Sequence, residues 1–256
     1  MIGRRILALR HAGLAGMVIV AAWAGLAGAA RADMSVDGTR FVYPAREKAI
    51  SVYVGNIGAE PILVQSWLDR GEARDANDLA RLKVPFVLTP PLLRLEPNER
   101  KAVQLRYTGE SLPKDRESLF WVNFLEVPVV SDEQNSLRLQ LHLSMKVLFR
   151  PEGLQGKASD APGKLRWTWR DAGNGSMRVL AENPTPYSVT FRTLKVRGSQ
   201  GDGLAGLTVP PLSSASFVGR WPPPRDQGGL SLDYESVDDF GAAKRGSAQA
   251  EFARVD

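Results

Sequence analysis

The clearest pattern of hydrophobic and polar positions lies between Leu137 and Arg150. Odd positions are almost all apolar, and even positions are mostly polar. Because side chains alternate between two faces along a β-strand, this period of two predicts a strand with one apolar and one polar face. At about 3.3 Å per residue the segment would extend roughly 46 Å, far longer than a usual strand. Pro151 should end it, since proline has no N–H for a ladder. A strand of this length is expected to serve more than its own sheet.

Shorter apolar segments precede this strand and are separated by turn residues; the segment at 49–54 shows the same alternation. They predict strands at Thr39–Tyr43, Ala49–Val54, Ile62–Leu68, Phe86–Leu88, Leu92–Leu95, Ala102–Tyr107 and Leu119–Val127. Glu72–Ala80 fits a short helix and a polar loop equally well. Short strands with turn signals at these intervals are typical of a β-sandwich.

A polar segment, Gln155–Gly163, is predicted to link this sandwich to a second all-β domain. Six further strands are predicted, at Leu165–Trp169, Met177–Glu182, Ser188–Val196, Leu207–Val209, Ala215–Val218 and Leu230–Val237. The chain is long enough for two domains of about 110 residues. We therefore predict domains at 33–154 and 155–256.

The first 32 residues have the composition of a secretory signal peptide. Three arginines precede an apolar run at 12–29, and Ala30-Arg31-Ala32 forms an A-x-A cleavage site. The apolar run is nearly long enough to span a membrane, so an uncleaved anchor is the alternative. The small residues and the A-x-A site favour cleavage, export from the cytoplasm and no stable membrane insertion afterwards.

Charge and composition exclude several classes of function. Removal of residues 1–32 takes away four arginines and no acid, so the net charge falls from +5 to +1. This balance gives no reason to expect a nucleic-acid partner. The chain has no cysteine, and His142 is the one histidine after residue 32. A zinc or copper site is therefore not expected, and a catalytic pair has one candidate base.

The segment Leu112–Pro128 resembles the motif that identifies the periplasmic chaperones of the chaperone–usher pathway, which assemble pili and fimbriae. Phe124 stands where an aliphatic residue is usual in that family. Other segments similar to the family follow in the correct order: Thr39–Arg40, Val42–Ala45, Val64–Leu68, Pro85–Pro91, Arg94–Pro97, Lys146–Leu154, Glu182–Tyr187 and Asp239–Ala242. The resemblance covers nearly the whole chain after residue 32.

This resemblance implies an all-β fold of two immunoglobulin-like β-sandwich domains arranged in an L. It also implies a periplasmic chaperone that binds, folds and caps pilin or fimbrial subunits and delivers them to an outer-membrane usher. A subunit without its last strand has an open core and unpaired edges, so it would aggregate. The chaperone lends a strand to fill that groove, which is donor-strand complementation. The family implies no catalysis and no cofactor.

By resemblance, the donated side chains are those of Leu137, Leu139, Leu141 and Leu143. Full burial of each is worth roughly 1.5–3 kcal/mol before the entropy of docking is subtracted. The alternation by itself favours another interpretation, in which these leucines face the core of their own domain.

Two further sets of residues follow from the resemblance. Arg40 and Lys146 correspond to the cations that bind the C-terminal carboxylate of the subunit. Lys146 lies about 30 Å beyond Leu137 along an extended strand. Strict alternation places Lys146 on the opposite face from the leucines. Glu117, Arg150 and Asp239 correspond to a salt-bridge network between the domains.

Two rival functions are weighed against this hypothesis. A pilin or adhesin subunit would lack its final strand, whereas this chain has a long strand and a second domain after it. A secreted hydrolase or binding protein is the other rival, since fold does not fix function. Ser144 and His142 share a predicted strand face, but no nucleophile elbow or paired-carboxylate motif accompanies them.

The short connection from Val127 to Leu137 resembles the short-loop class of the family. Self-association of the free chaperone is left open.

Overall fold

The computed structural model describes residues 33–71, 83–127, 140–199, 203–221, 223 and 228–253. The predicted signal peptide, the Glu72–Ala80 segment, Leu137 and Leu139 lie outside these ranges. Within the described ranges, no helix is long and apolar enough to cross a membrane.

The first half of the chain folds into two sheets. Its strands are β1 (Met34–Val36), β2 (Arg40–Pro44), β3 (Ile50–Asn56), β4 (Ile62–Asp69), β5 (Phe86–Thr89), β6 (Leu92–Leu95), β7 (Arg100–Tyr107), β8 (Ser118–Val127) and β9 (His142–Arg150). One sheet has the order β1-β3-β7-β5, and the other has the order β2-β9-β8-β4-β6. Strands β2 and β9 run parallel, while the other pairs are antiparallel.

The alternation of each strand places its apolar residues between the two sheets. Phe120, Val122 and Phe124 of β8 are completely buried, as are Val103 and Leu105 of β7. Because alternate residues of a strand point to opposite faces, these side chains form one apolar layer. The first core therefore lies between the two sheets.

The second half forms one seven-stranded sheet. Its strands are β10 (Arg166–Gly173), β11 (Ser176–Asn183), β12 (Val189–Val196), β13 (Leu204–Val209), β14 (Ser213–Gly219), β15 (Leu230–Val237) and β16 (Ala243–Phe252). The order is β13-β12-β15-β16-β10-β11-β14. The sheet curls on itself, since Asn183 of β11 donates hydrogen bonds to the carbonyl oxygens of Val209 and Pro210 at the end of β13. A second core that includes Trp169, Phe191 and Trp221 fills its interior.

The all-β prediction is confirmed, with differences at particular segments. Strands β1 and β16 were not predicted, because β1 is three residues long and β16 is mostly small and polar. The predicted linker contains a 3-10 helix at Ala158–Lys164, whose Ala161 is buried in the second core. A segment rich in Gly, Ser and Asp can thus still pack through one small apolar residue. The described part of the long strand starts at His142, and Gln140 and Leu141 precede it without strand geometry.

Candidate functional site

Strand β9 has a partly unpaired edge. On one side it pairs with β8 from His142 to Phe149. On the other side it pairs with β2, but only from Lys146 onward. Among the described strands, none covers the second edge of His142–Met145. Backbone N–H and C=O groups on such an edge are available to another strand.

Apolar side chains lie along this open edge. Leu141, Leu143 and Met145 are half-buried and pack against the rim of the first core. They therefore contact their own domain, as the alternation suggested, and still expose apolar surface where β9 lacks a neighbour. The roles of Leu137 and Leu139 stay predictions.

Arg40 and Lys146 lie directly opposite each other in the parallel β2–β9 pair, at the point where the open edge ends. Arg40 is 8% exposed, and its Nη1 donates to the carbonyl oxygen of Val237 at 2.9 Å. The Lys146 Nζ donates to Thr190 Oγ1 at 2.9 Å and also to Thr208 Oγ1. Strands of both halves therefore position the two cations side by side.

The electrostatics of this cation pair favour an anion. Burial, and then the charge of Arg40, lower the pKa of Lys146 to about 8. Burial also lowers the pKa of Arg40, against the attraction of nearby acids led by Asp239. In the described part of the chain, no carboxylate lies within ion-pair distance of Lys146. A carboxylate placed between the two side chains would offset the cost of burying their charge.

Arg150 joins two carboxylates from distant parts of the chain. Its Nε donates to Glu117 Oε1 at 2.6 Å, and its Nη1 and Nη2 donate to Asp239 at 2.7 and 2.9 Å. The two parallel bonds to Asp239 are the bidentate geometry that guanidinium favours. Although burial lowers the pKa of Arg150, its bonds to Asp239 and the charge of Glu117 raise that pKa above the ordinary value.

Glu117 ties the two halves together by its backbone as well as its side chain. Its side chain is 0% exposed, and its second oxygen accepts a hydrogen bond from the backbone N–H of Ser188 at 2.8 Å. Its own N–H donates to the carbonyl oxygen of Pro186 at 2.9 Å. Burial raises the pKa of this carboxyl, against the opposing attraction of Arg150. The carboxylate therefore depends on its donors to stay charged.

The loop between β15 and β16 is braced next to Arg40. Asp238 Oδ1 accepts hydrogen bonds from the N–H groups of Phe240 and Ala242 at 3.0 and 2.9 Å. Gly241 has a φ of +85°, and a Cβ there would lie 2.5 Å from Thr39 Oγ1. Glycine thus permits both the turn and its close contact with the residue before Arg40.

Several residues of this site carry no signal in the sequence. Thr190, Thr208 and Ser188 come from β12, β13 and the residue before β12, and only the folded chain brings them to Lys146 and Glu117. Hydroxyl residues on a strand are common, so their presence alone predicts nothing.

His142 is committed to a different contact. Its Nε2 lies 3.0 Å from Asn123 Oδ1, and its ring packs at 5.2 Å from Trp67. Asn123 in turn donates to the buried Asp69 at 2.8 Å. This network leaves Ser144 without an activating base among its observed contacts. No cluster of metal-ligating side chains occurs within the described ranges.

Comparison with known protein families places both halves of the chain in one family. Residues 33–155 match the family model described as "Pili and flagellar-assembly chaperone, PapD N-terminal domain". Residues 160–248 match "Pili assembly chaperone PapD, C-terminal domain". The chain belongs to this family of pilus-assembly chaperones. The predicted resemblance is thereby confirmed.

Individual pilus-assembly chaperones support the assignment. FimB/FhaD of Bordetella pertussis is 36% identical over 227 residues, which cover 85% of this chain and 88% of that protein. YadV of Escherichia coli is 43% identical over 167 residues, or 62% of this chain and 66% of that protein. The crystal structure of YadV matches 85% of this chain and 100% of its own, with a TM-score of 0.69 and 34% identity.

A structure of Salmonella enterica SafB is relevant because it contains a second protein. It is described as the SafA pilin in complex with the SafB chaperone. The match has a TM-score of 0.68 and 28% identity, and covers 87% of this chain and 97% of that chain. The likeness to these chaperones confirms the predicted fold class of two immunoglobulin-like β-sandwiches.

Proposed function

We propose that this chain is a periplasmic chaperone that binds pilin or fimbrial subunits by donor-strand complementation and delivers them to an outer-membrane usher. Family membership and the SafB–SafA complex support the class of partner. The predicted signal peptide supports the compartment. The chain acts by binding alone, without catalysis, cofactor or metal. It acts as two domains, 33–154 and 155–256.

The observation that carries this proposal is that the open edge of β9 ends at the Arg40–Lys146 pair. Strand β2 is parallel to β9 and begins at Arg40. A partner strand that docks on the open edge in the same direction would be collinear with β2. Its last residue would therefore meet the two cations. A chain end carries a carboxylate, which is the group this site favours.

The apolar contacts of the docked strand come from β9. Leu141 and Leu143 already expose apolar surface along the edge, and Leu137 and Leu139 extend the same face of the sequence toward the N-terminus. A subunit without its final strand would bury these side chains in its own open core. The carboxylate fixes the register of the docked strand, so that each leucine meets a defined position.

The Arg150 network has a different role. Glu117 precedes β8 closely, Arg150 ends β9, and Asp239 follows β15. Their ion pairs hold the second half against the first, so that Thr190 and Thr208 stay within reach of Lys146. We assign this network to positioning of the domains, because buried ion pairs specify geometry more reliably than they add stability.

The rival functions explain fewer of these features. A pilin subunit lacks its last strand, whereas this first sandwich has β9 in place and a second sandwich after it. A hydrolase would need an activated nucleophile, but His142 contacts Asn123 and not Ser144.

Co-expression with a pilin subunit tests the proposal. The tagged chain should co-purify from the periplasm with the subunit in equal amount, and the subunit should be degraded or aggregated when it is expressed alone. The control is the same subunit supplied in cis with an extra final strand, which closes its groove and should abolish capture. Equal capture of the closed and open subunits would contradict the donor-strand proposal.

The Lys146 pKa gives a prediction about pH. Since this pKa is about 8 in the free protein, affinity for an octapeptide of alternating threonine and valine with a free C-terminus should fall roughly tenfold from pH 7 to pH 9. The charged amine binds the carboxylate, and it is lost as pH rises through 8. Isothermal titration calorimetry at several pH values measures this fall.

The matched control for this prediction is Lys146→Arg. Guanidinium stays charged throughout this range, so the affinity of the variant should be nearly independent of pH. A wild-type affinity that does not change between pH 7 and 9, or an equal fall in the variant, would contradict the assignment of Lys146.

A further inference from the structure

A cavity of about 320 Å³ adjoins the cation pair on the side of Arg40. Most of its accessible wall is apolar and includes Ala158, Pro162, Val189 and Val237. The charged residues of its wall are Arg40, Asp238, Asp239 and Lys244. Its volume lies within the range of roughly 300–1,000 Å³ that is usual for ligand sites. The cavity is thus large enough for a bulky side chain.

Ser188 provides an independent sign of a ligand. Ser188 lines this cavity, and its hydroxyl is buried without a hydrogen-bond partner among the described residues. A buried polar group without a partner costs about 1–3 kcal/mol. Rotation about the Cα–Cβ bond of Ser188 would turn the hydroxyl into the cavity, where the N–H and C=O groups of an entering peptide can be its partner. A purely apolar molecule cannot.

Phe240 stands at the edge of the cavity. It is 94% exposed, although the Asp238 hydrogen bonds brace its loop. An aromatic ring on a braced loop beside this cavity offers an edge or face to an entering side chain. The loop therefore presents apolar surface that no described segment of the chain covers.

We infer that this cavity receives the side chain of the subunit's last residue and selects a large apolar side chain there. The inference rests on the proposed function, in which the terminal carboxylate lies between Arg40 and Lys146. The Cα of that residue is only about 1.5 Å from its carboxylate carbon, so its side chain must lie next to the cations. On the Lys146 side it would meet the hydroxyls of Thr190 and Thr208. On the Arg40 side it meets the apolar cavity.

Two octapeptides test this inference. Both alternate threonine and valine and have a free carboxylate, and they end in phenylalanine or glycine. The wild type should bind the phenylalanine peptide at least about tenfold more tightly, since apolar pockets discriminate between side chains by such factors. An amidated phenylalanine peptide is the third probe. It should bind much more weakly than either acid.

Ser159→Trp and Phe240→Ala separate the cavity from the anchor. Ser159 is an exposed residue of the cavity rim, so a tryptophan there fills the cavity without disturbing either core. The preference for phenylalanine should fall below about threefold in Ser159→Trp, with the glycine peptide unaffected, and should weaken in Phe240→Ala. Ile57→Ala removes an exposed apolar side chain that does not line the cavity, and it should leave the preference intact.

The outcomes distinguish the inference from the proposed function. Equal binding of both acids by the wild type overturns the cavity assignment but leaves the anchor, as long as the amide binds weakly. A preference for the phenylalanine peptide that survives Ser159→Trp also overturns the cavity assignment. An equal loss of affinity for both acid peptides overturns it too, because a filled cavity should leave binding of the glycine peptide unchanged. Equal binding of the acid and the amide overturns the proposed function itself.

Discussion

Replacement of either anchor cation, in Arg40→Ala or Lys146→Met, should weaken subunit binding by at least about 30-fold. Each variant leaves the subunit carboxylate buried with only one of its two charged partners, and removal of one partner of a buried charge pair costs about 2–5 kcal/mol. Surface plasmon resonance with purified, co-refolded subunit measures the loss. Arg106→Ala and Lys195→Met are matched controls, because both side chains are exposed on other strands.

Lys146→Met also separates binding from folding. Burial disfavours the charged form of Lys146, as its lowered pKa shows, so a neutral side chain of similar length removes a cost of folding. The free energy of unfolding of this variant at pH 7 should equal or exceed that of the wild type. Loss of binding with unchanged stability would support the anchor. Unchanged binding in both cation variants would remove Arg40 and Lys146 from the site.

Arg150→Met should lower the free energy of unfolding by about 3–5 kcal/mol. Glu117 is fully buried, and loss of its cation leaves an uncompensated charge in the interface between the halves. Chemical denaturation followed by tryptophan fluorescence measures the loss. Small-angle scattering should show a wider spread of interdomain arrangements. Arg197→Met, which removes an exposed ion pair with Asp233, should change little.

The pH dependence of Arg150→Met provides a second check. Burial raises the pKa of Glu117 above its unfolded value, and loss of Arg150 should raise it further. A group with a raised folded pKa stabilises the protein below its unfolded pKa and loses that contribution as pH rises through the folded pKa. Arg150→Met should therefore recover part of its stability as the pH falls from 7 to 4. The double variant Arg150→Met, Glu117→Gln should recover part of that stability at pH 7. No recovery in either case would show that Glu117 is not the uncompensated charge.

Strand alternation predicted most of the fold because each sandwich has one apolar face per strand. Leu230–Val237 has a clear period of two in its burial, and this strand was predicted to the residue. Strand β16 was missed because Ala243–Phe252 is mostly small and polar and shows no alternation of large apolar side chains, although it is the central strand of its sheet. The Ala158–Lys164 helix was missed for a similar reason. The hydrophobic pattern of a segment predicts burial only where the buried side chains are large.

Only some residues of the site could be predicted from the sequence. Arg40, Lys146, Glu117, Arg150 and Asp239 were named because the motifs around them resemble a known family. Their spacing alone marks them as ordinary surface charges. The structure adds that Arg40 and Lys146 are neighbours across two parallel strands and that Arg150 contacts both acids.

Other parts of the site depend on tertiary contacts. Thr190 and Ser188 reach the cleft through the curl of a seven-stranded sheet, which has no local signature. Phe240 lies in Asp239–Ala242, a segment whose resemblance to the family does not reveal that it borders a cavity. The cavity beside Arg40 is formed by segments that are distant in sequence. Their apolar residues are too common in strands to predict a binding site.

The most direct test of the account is the position of the subunit's terminal carboxylate in a crystal structure of the complex. The account predicts carboxylate oxygens at about 2.7–2.9 Å from Lys146 Nζ and from a guanidinium nitrogen of Arg40. It also predicts that the subunit strand before that carboxylate runs parallel to β9, along the open edge at His142–Met145. A chain end outside this cleft, or a subunit bound without any strand on that edge, would contradict it.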